Sequence, residues 1–172
     1  IDEINRGNLS KIFGELFMLI ENDKRGNSLQ LLYSDEKFNV PANVYIIGMM
    51  NTADRSLAML DYALRRRFAF MEVVPNAGIV ENTVLKTVLE RLNEELFKEL
   101  ESTDLLVGHA YFMRKEEKDL CGIMNQSIIP LLYEYFYDNS NKVKNILEKA
   151  IAGYNFKVTL AKIGRLRLTV KD

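Results

Sequence analysis

The chain of 172 residues is long enough for one domain with a substantial core, or for part of a domain plus a second small one. Its 23 Lys and Arg stand against 24 Asp and Glu, so bulk charge is excluded as a reason to bind nucleic acid. The single cysteine, Cys121, excludes an intrachain disulfide and suits a reducing cytoplasm, and no apolar run reaches the roughly 20 residues that span a bilayer.

In chain order, Ile1 reads as the end of a buried strand, met at once by Asp2 and Glu3, so the chain is expected to begin inside a domain. Asn8 is placed to cap a helix whose apolar face is Leu9, Ile12, Phe13, Leu16, Phe17 and Ile20. After a polar break from Asn22 to Asn27, "LQLLY" and "KFNVP" read as a short hairpin around Ser34-Asp35-Glu36. "NVYIIGMMN" is a near-continuous apolar run, predicted to be a parallel strand covered on both faces. A polar cluster from Asn51 to Ser56 follows, then a short helix from about Leu57 to Leu64, Arg65-Arg66-Arg67, and a strand "FAFMEVV" stopped by Pro75.

Beyond Pro75 the pattern turns helical. Val84, Leu85, Val88, Leu89, Leu92 and Leu96 mark a long amphipathic helix. Leu120, Ile123 and Met124 mark another, and Pro130 sits near the start of a helix through "LLYEYFY". Val143, Ile146, Leu147, Ala150 and Ile151 form one more, with Gly153 as its stop, and "FKVTL" and "RLRLTV" are predicted to close the chain as a hairpin. The expected layout is an α/β piece over residues 1–75 and a mostly helical piece over residues 76–172.

Three short segments carry chemistry. A carboxylate pair such as Asp2-Glu3, at the end of a parallel strand, lies where open α/β sheets bind ligands. One acid can support Mg²⁺, mostly through water, while its neighbour activates an attacking water; a solvated pair at a helix entry is the alternative. In "IIGMMNTADRS" an amide, Asn51, is delivered to the same rim if the two strands are neighbours, where it could fix that water without adding negative charge. The same residues could instead only cap the next helix. In "LDYALRRRFAF" a guanidinium could neutralise charge in phosphoryl transfer, or the three arginines could form a basic surface turn.

Taken together, "DEINRGNLSKIFGELFMLIE", "MMNTADRSLAMLDYALRRRFAF", "VGHAYFM" and "IIPLLYEYFYD" resemble the AAA+ module of the McrB family, over nearly the whole chain and in the same order. The resemblance implies the C-terminal half of a P-loop NTPase parallel-sheet core followed by a helical lid. It implies a GTP-hydrolysing (or ATP-hydrolysing), Mg²⁺-dependent motor that forms a ring, expected to be a hexamer. The expected partners are an McrC-like nuclease subunit and DNA, reached through other domains or subunits, with no membrane.

By the same resemblance Asp2 and Glu3 match the Walker B pair, with Mg²⁺ support from both and the catalytic base from Glu3. Asn51 matches sensor 1; with Asp2, Asp54 and Arg55 it makes up the expected nucleotide-binding set. Arg66 and Arg67 match the arginine-finger region, Arg66 being the first choice and Arg65 structural. Asn5, Arg6, Asp54 and Arg55 fall near the seam between subunits. His109 either meets nucleotide or a neighbouring subunit, or serves a local hydrogen-bond network. The family's phosphate-binding loop has no counterpart, since no Gly-Lys-Ser or Gly-Lys-Thr occurs, so these residues alone are expected to be inactive. A MoxR-like remodelling ATPase and a non-hydrolysing assembly module are the other readings.

Overall fold

A computed structural model describes residues 1–7, 9–51, 53, 65–160 and 164–171. The chain divides into two compact units, Ile1–Glu72 and Val73–Asp172. The Asn8 cap, the helix expected over 57–64, and Asp54 and Arg55 lie outside the described residues.

In the first unit a single 3-10 turn, Ile4–Arg6, leads to a short helix α1, Leu9–Phe13, and a 3-10 stretch Gly14–Ile20. The expected continuous helix is interrupted because Gly14 adopts φ 48°, a left-handed conformation that ends the α ladder. The change of pitch rotates the apolar residues apart: Phe17 and Ile20 are buried with Ile4, whereas Ile12 is exposed. Strands β1, Ser28–Gln30, and β2, Lys37–Asn39, pair antiparallel with Leu29 opposite Phe38. The first strand therefore starts one residue before "LQLLY" and ends at Gln30, and Leu31 to Glu36 make the turn, with Leu31 N donating to Glu36 O at 2.9 Å.

"NVYIIGMMN" departs from expectation. It is not covered on both faces: Tyr45, Ile47 and Met49 are exposed, Ile47 to 78%, while Ile46 packs on the small core. A parallel strand in the middle of a sheet has a hydrogen-bonded strand on each edge; among the described residues the backbone of this segment bonds Ile1 and Ile4 and, in a local turn, Pro41, and Arg25 Nη1 donates to Val44 O at 2.9 Å. "FAFMEVV" likewise forms no strand, and Phe70, Met71 and Val73 are exposed.

The second unit is built on helix α2, Thr83–Leu100. Asn82 caps it, its side chain accepting from Val84 N at 3.0 Å and Leu85 N at 3.1 Å. Leu85, Val88, Leu89, Leu92 and Leu96 recur at helical spacing and are fully buried. A second helical run comprises α3, Leu120–Ile123, a π-helical turn Met124–Ile128, and α4, Ile129–Tyr135. Pro130 has no N–H to continue the i→i−4 ladder, and the widened turn lies directly before it. Helix α5, Ser140–Ala150, is capped by Asn139 and buries Val143, Ile146, Leu147 and Ala150 in the core it shares with α2.

Strands β3, Phe156–Leu160, and β4, Leu166–Val170, pair antiparallel with Val158 opposite Leu168, as the sequence predicts. Side-chain amides fix the connections. Asn125, in the π turn, donates to Leu168 O at 2.9 Å and accepts from Leu168 N at 2.7 Å, standing in for an extra strand beside β4. Asn93 binds both backbone groups of Val107 in the same way. No helix among the described residues is long and apolar enough to cross a membrane.

Glu95 is a buried charge on α2. It accepts from Lys149 of α5 at 2.6 Å and from Lys98 at 2.7 Å, and these bonds, Lys149's first, hold its carboxyl below the ordinary 4.5. A depressed folded pKa gives stability that is present above pH 4.5 and lost as pH falls through the lowered folded value. Glu95→Gln is therefore expected to lower the thermal midpoint at pH 7 by about 2–4 °C. Melts of parent and variant should converge as the medium is acidified through that range.

Candidate functional site

The site grows from one backbone exchange in the first unit. Ile1 N donates to Ile47 O at 2.8 Å, and Met49 N donates to Ile1 O at 2.8 Å. A residue that bonds in this way to j−1 and j+1 makes a parallel bridge, here between Ile1 and Gly48. Both segments then leave the bridge in the same direction, one into Asp2-Glu3 and the other into Met50-Asn51. Gly48 allows the close approach: a Cβ there would lie 2.8 Å from Ile4 Cδ1 and 3.2 Å from its Cγ2, so a larger residue would have to push the Ile4 side chain aside.

The ladder stops at the acids. In a continuing parallel ladder Glu3 N would bond Met49 O; instead Ile4 N does, at 2.9 Å, while Glu3 takes the left-handed conformation at φ 47°, ψ 46°. The extra residue bulges outward, and both carboxylates reach solvent. Asp2 Oδ1 accepts from Glu3 N at 2.9 Å, and Glu3 Oε2 pairs with Arg6 Nε at 2.5 Å. That pair is about half exposed on both sides, so it contributes little stability and is readily exchanged for another contact. Asn5 is buried, and its Oδ1 has no hydrogen-bond partner among the described residues. Asn51 is exposed, with its Oδ1 accepting from Ala53 N at 3.0 Å, which leaves the side-chain NH₂ pointing free of that turn.

The three arginines do separate things. Arg65 and Arg66 are exposed. Arg67 is turned inward, ion-paired to Glu21, with its guanidinium 5.0 Å from the centre of the Phe17 ring. Glu21 is a partner that sequence reasoning missed, since no motif or periodicity links two residues so far apart along the chain. In the second unit His109 Nδ1 accepts from Asn76 N at 3.0 Å, so that nitrogen carries no proton and serves a local network. Asn76 itself accepts from Gly78 N at 2.8 Å, capping the short turn Ala77–Ile79.

For magnesium, the donor set can be compared with the chemistry. No group of three or more His, Cys, Asp or Glu side chains that could hold a metal occurs among the described residues. Magnesium at a triphosphate does not need such a cage; one or two carboxylates, water and phosphate oxygens suffice. Asp2, exposed and with one oxygen outside its turn bond, fits that mode.

Comparisons with known proteins bear on both units. Residues 1–68 match the AAA domain family of the dynein-related subfamily, which places the chain among AAA+ proteins. Residues 84–144 match the α-helical lid domain of McrB. The chain is similar to the type IV methyl-directed restriction enzyme EcoKMcrB subunit of Escherichia coli (strain K12), with 42% identity over 88% of this chain. It is also similar to the type II restriction enzyme BsuMI component YdiS of Bacillus subtilis (strain 168), with 34% identity over 41% of the chain. The chain belongs to the McrB family. It spans 39% of the length of the first of these relatives and 24% of the second.

Proposed function

We propose that this chain is the Walker B-to-lid portion of a ring-forming nucleoside triphosphatase, the GTP-hydrolysing motor of a McrBC-like restriction system. The observation that carries the reading is the Ile1–Gly48 bridge, which sends Asp2-Glu3 and Asn51 out in one direction. That arrangement suits an attacking water lined up against a terminal phosphate.

Each residue then has a task. Glu3 accepts the water's proton, releasing Arg6 as it does so. Asn51 donates its free NH₂ to the water or a γ-phosphate oxygen, steadying the geometry without repelling the phosphate. Asp2 would hold a hydrated magnesium, which would supply charge neutralisation at the triphosphate. Arg66, exposed and beside the inward-anchored Arg67, is the residue offered to the nucleotide of the adjacent subunit. Asn5, Arg6, Asp54 and Arg55 keep the subunit-seam role, and Asp54 and Arg55 also the nucleotide-binding role, that the family resemblance implies. A phosphate-binding loop must complete the site, and these residues do not supply it. DNA translocation, a hexameric ring and an McrC-like nuclease partner belong to the same proposal.

The test is phosphate release from GTP and from ATP by the intact protein with magnesium. Release should rise more steeply than linearly with protein concentration, because each site needs a neighbour's arginine. No release from either nucleotide at concentrations where the ring assembles would overturn the reading.

A further inference from the structure

The first unit holds an ion pair that the proposed chemistry does not use. Between Asp61 and Glu72 the sequence carries Arg65, Arg66 and Arg67 and no acid, so three adjacent cations repel one another. The structure separates them. Arg65 and Arg66 are exposed, while Arg67 turns inward to Glu21, far earlier in the chain.

That anchor is fixed from both sides. Glu21 follows the buried Ile20; its N donates to Met18 O at 3.3 Å, and its O accepts from Lys24 N at 3.1 Å. The Arg67 guanidinium lies 5.0 Å from the centre of the Phe17 ring, which is itself held edge-to-face against Phe13 with 5.7 Å between centres. Phe68, the next residue, packs on the core of Ile4, Phe17 and Ile20. Only 18% of the Arg67 side chain and 34% of the Glu21 side chain are exposed, so salt screens the pair less than an open surface pair. Arg66 therefore leaves a turn whose next two residues are both fastened to the small core.

We propose that Glu21 is a positioning residue for the arginine finger: by holding Arg67 inward it fixes the direction in which Arg66 leaves the turn. The inference rests on the motor reading above, in which Arg66 reaches the nucleotide of the adjacent subunit. Without the carboxylate, Arg67 loses the anion that draws it inward and turns toward water, and the turn that carries Arg66 follows. A displacement of about 1 Å at a reacting group can cost about 10²-fold in rate. Glu21 acts through Arg66 and need touch no substrate.

The test is a double-mutant cycle on single-turnover phosphate release by the intact protein, with Glu21→Gln, Arg66→Ala and the two combined. Glu21→Gln should slow release by about tenfold to a hundredfold and leave the Kd for a fluorescent GTP analogue within about twofold. In the Arg66→Ala background it should slow release by less than about twofold, because no finger is left to aim. Losses that multiply would overturn the inference, since a general fold defect slows both backgrounds alike. Should Glu21→Gln fail to fold, read by its thermal melt, the cycle is run with Glu21→Asp, which keeps the charge and draws it back by one carbon. A loss seen only where Arg66 is intact then supports the inference, and equal losses in both backgrounds overturn it. A slow Arg66→Ala beside a Glu21→Gln at the parental rate removes the inference alone. Arg66→Ala at the parental rate removes the finger reading, and the inference with it.

Discussion

Arg66→Ala in the intact protein is expected to lower turnover by about 10³–10⁵-fold while leaving nucleotide affinity nearly unchanged. The expectation separates two neighbours of identical chemistry. Arg67 is committed to Glu21 and lies over Phe17, so its replacement should loosen the small core of Ile4, Phe17 and Ile20. Arg66 is exposed and can be given to another subunit without breaking a contact to a described residue. Mixing decides whether it acts across the seam. Protein carrying Arg66→Ala, combined with protein carrying Glu3→Gln, should recover part of the activity, because some junctions then join an intact Glu3 to an intact Arg66. No recovery in steady-state assays of mixed rings would confine Arg66 to its own subunit's site and remove the finger role.

Glu3→Gln should stop turnover by about 10²–10⁴-fold and preserve nucleotide-driven assembly. The amide keeps the shape of the carboxylate and loses only the ability to take a proton. The exposed pair with Arg6 is lost as well, but it contributes little to stability, so the fold should survive. Sedimentation in the presence of nucleotide, alongside single-turnover phosphate release, reads both halves of the claim. Turnover at the parental rate would assign the base elsewhere.

Legibility in the sequence tracked how local the determining forces are. Helix α2 could be read from Leu85, Val88, Leu89, Leu92 and Leu96 alone, because one face meets one core. The closing hairpin could be read because its alternation and the break between its strands agree. Gly14 could not be weighed: a lone glycine inside a helical pattern is tolerated as often as it ends the helix, and here its positive φ ended it. An apolar run such as "NVYIIGMMN" implies cover, but cover depends on which elements pack against it. At the site, the acids and the amide were visible as residue types at strand ends. The Glu21–Arg67 pair and the Asn76–His109 bond were not, because each is set by packing rather than by spacing.

The amide clamp of Asn125 on Leu168 acts as an index pin for the ribbon beneath which it sits. Because pleated side chains alternate, slipping β4 by a single position would turn Arg167 and Thr169 inward and push Leu166 and Leu168 into water. One carboxamide, satisfied by both groups of one residue, thereby decides which side of the ribbon is greasy and which is polar.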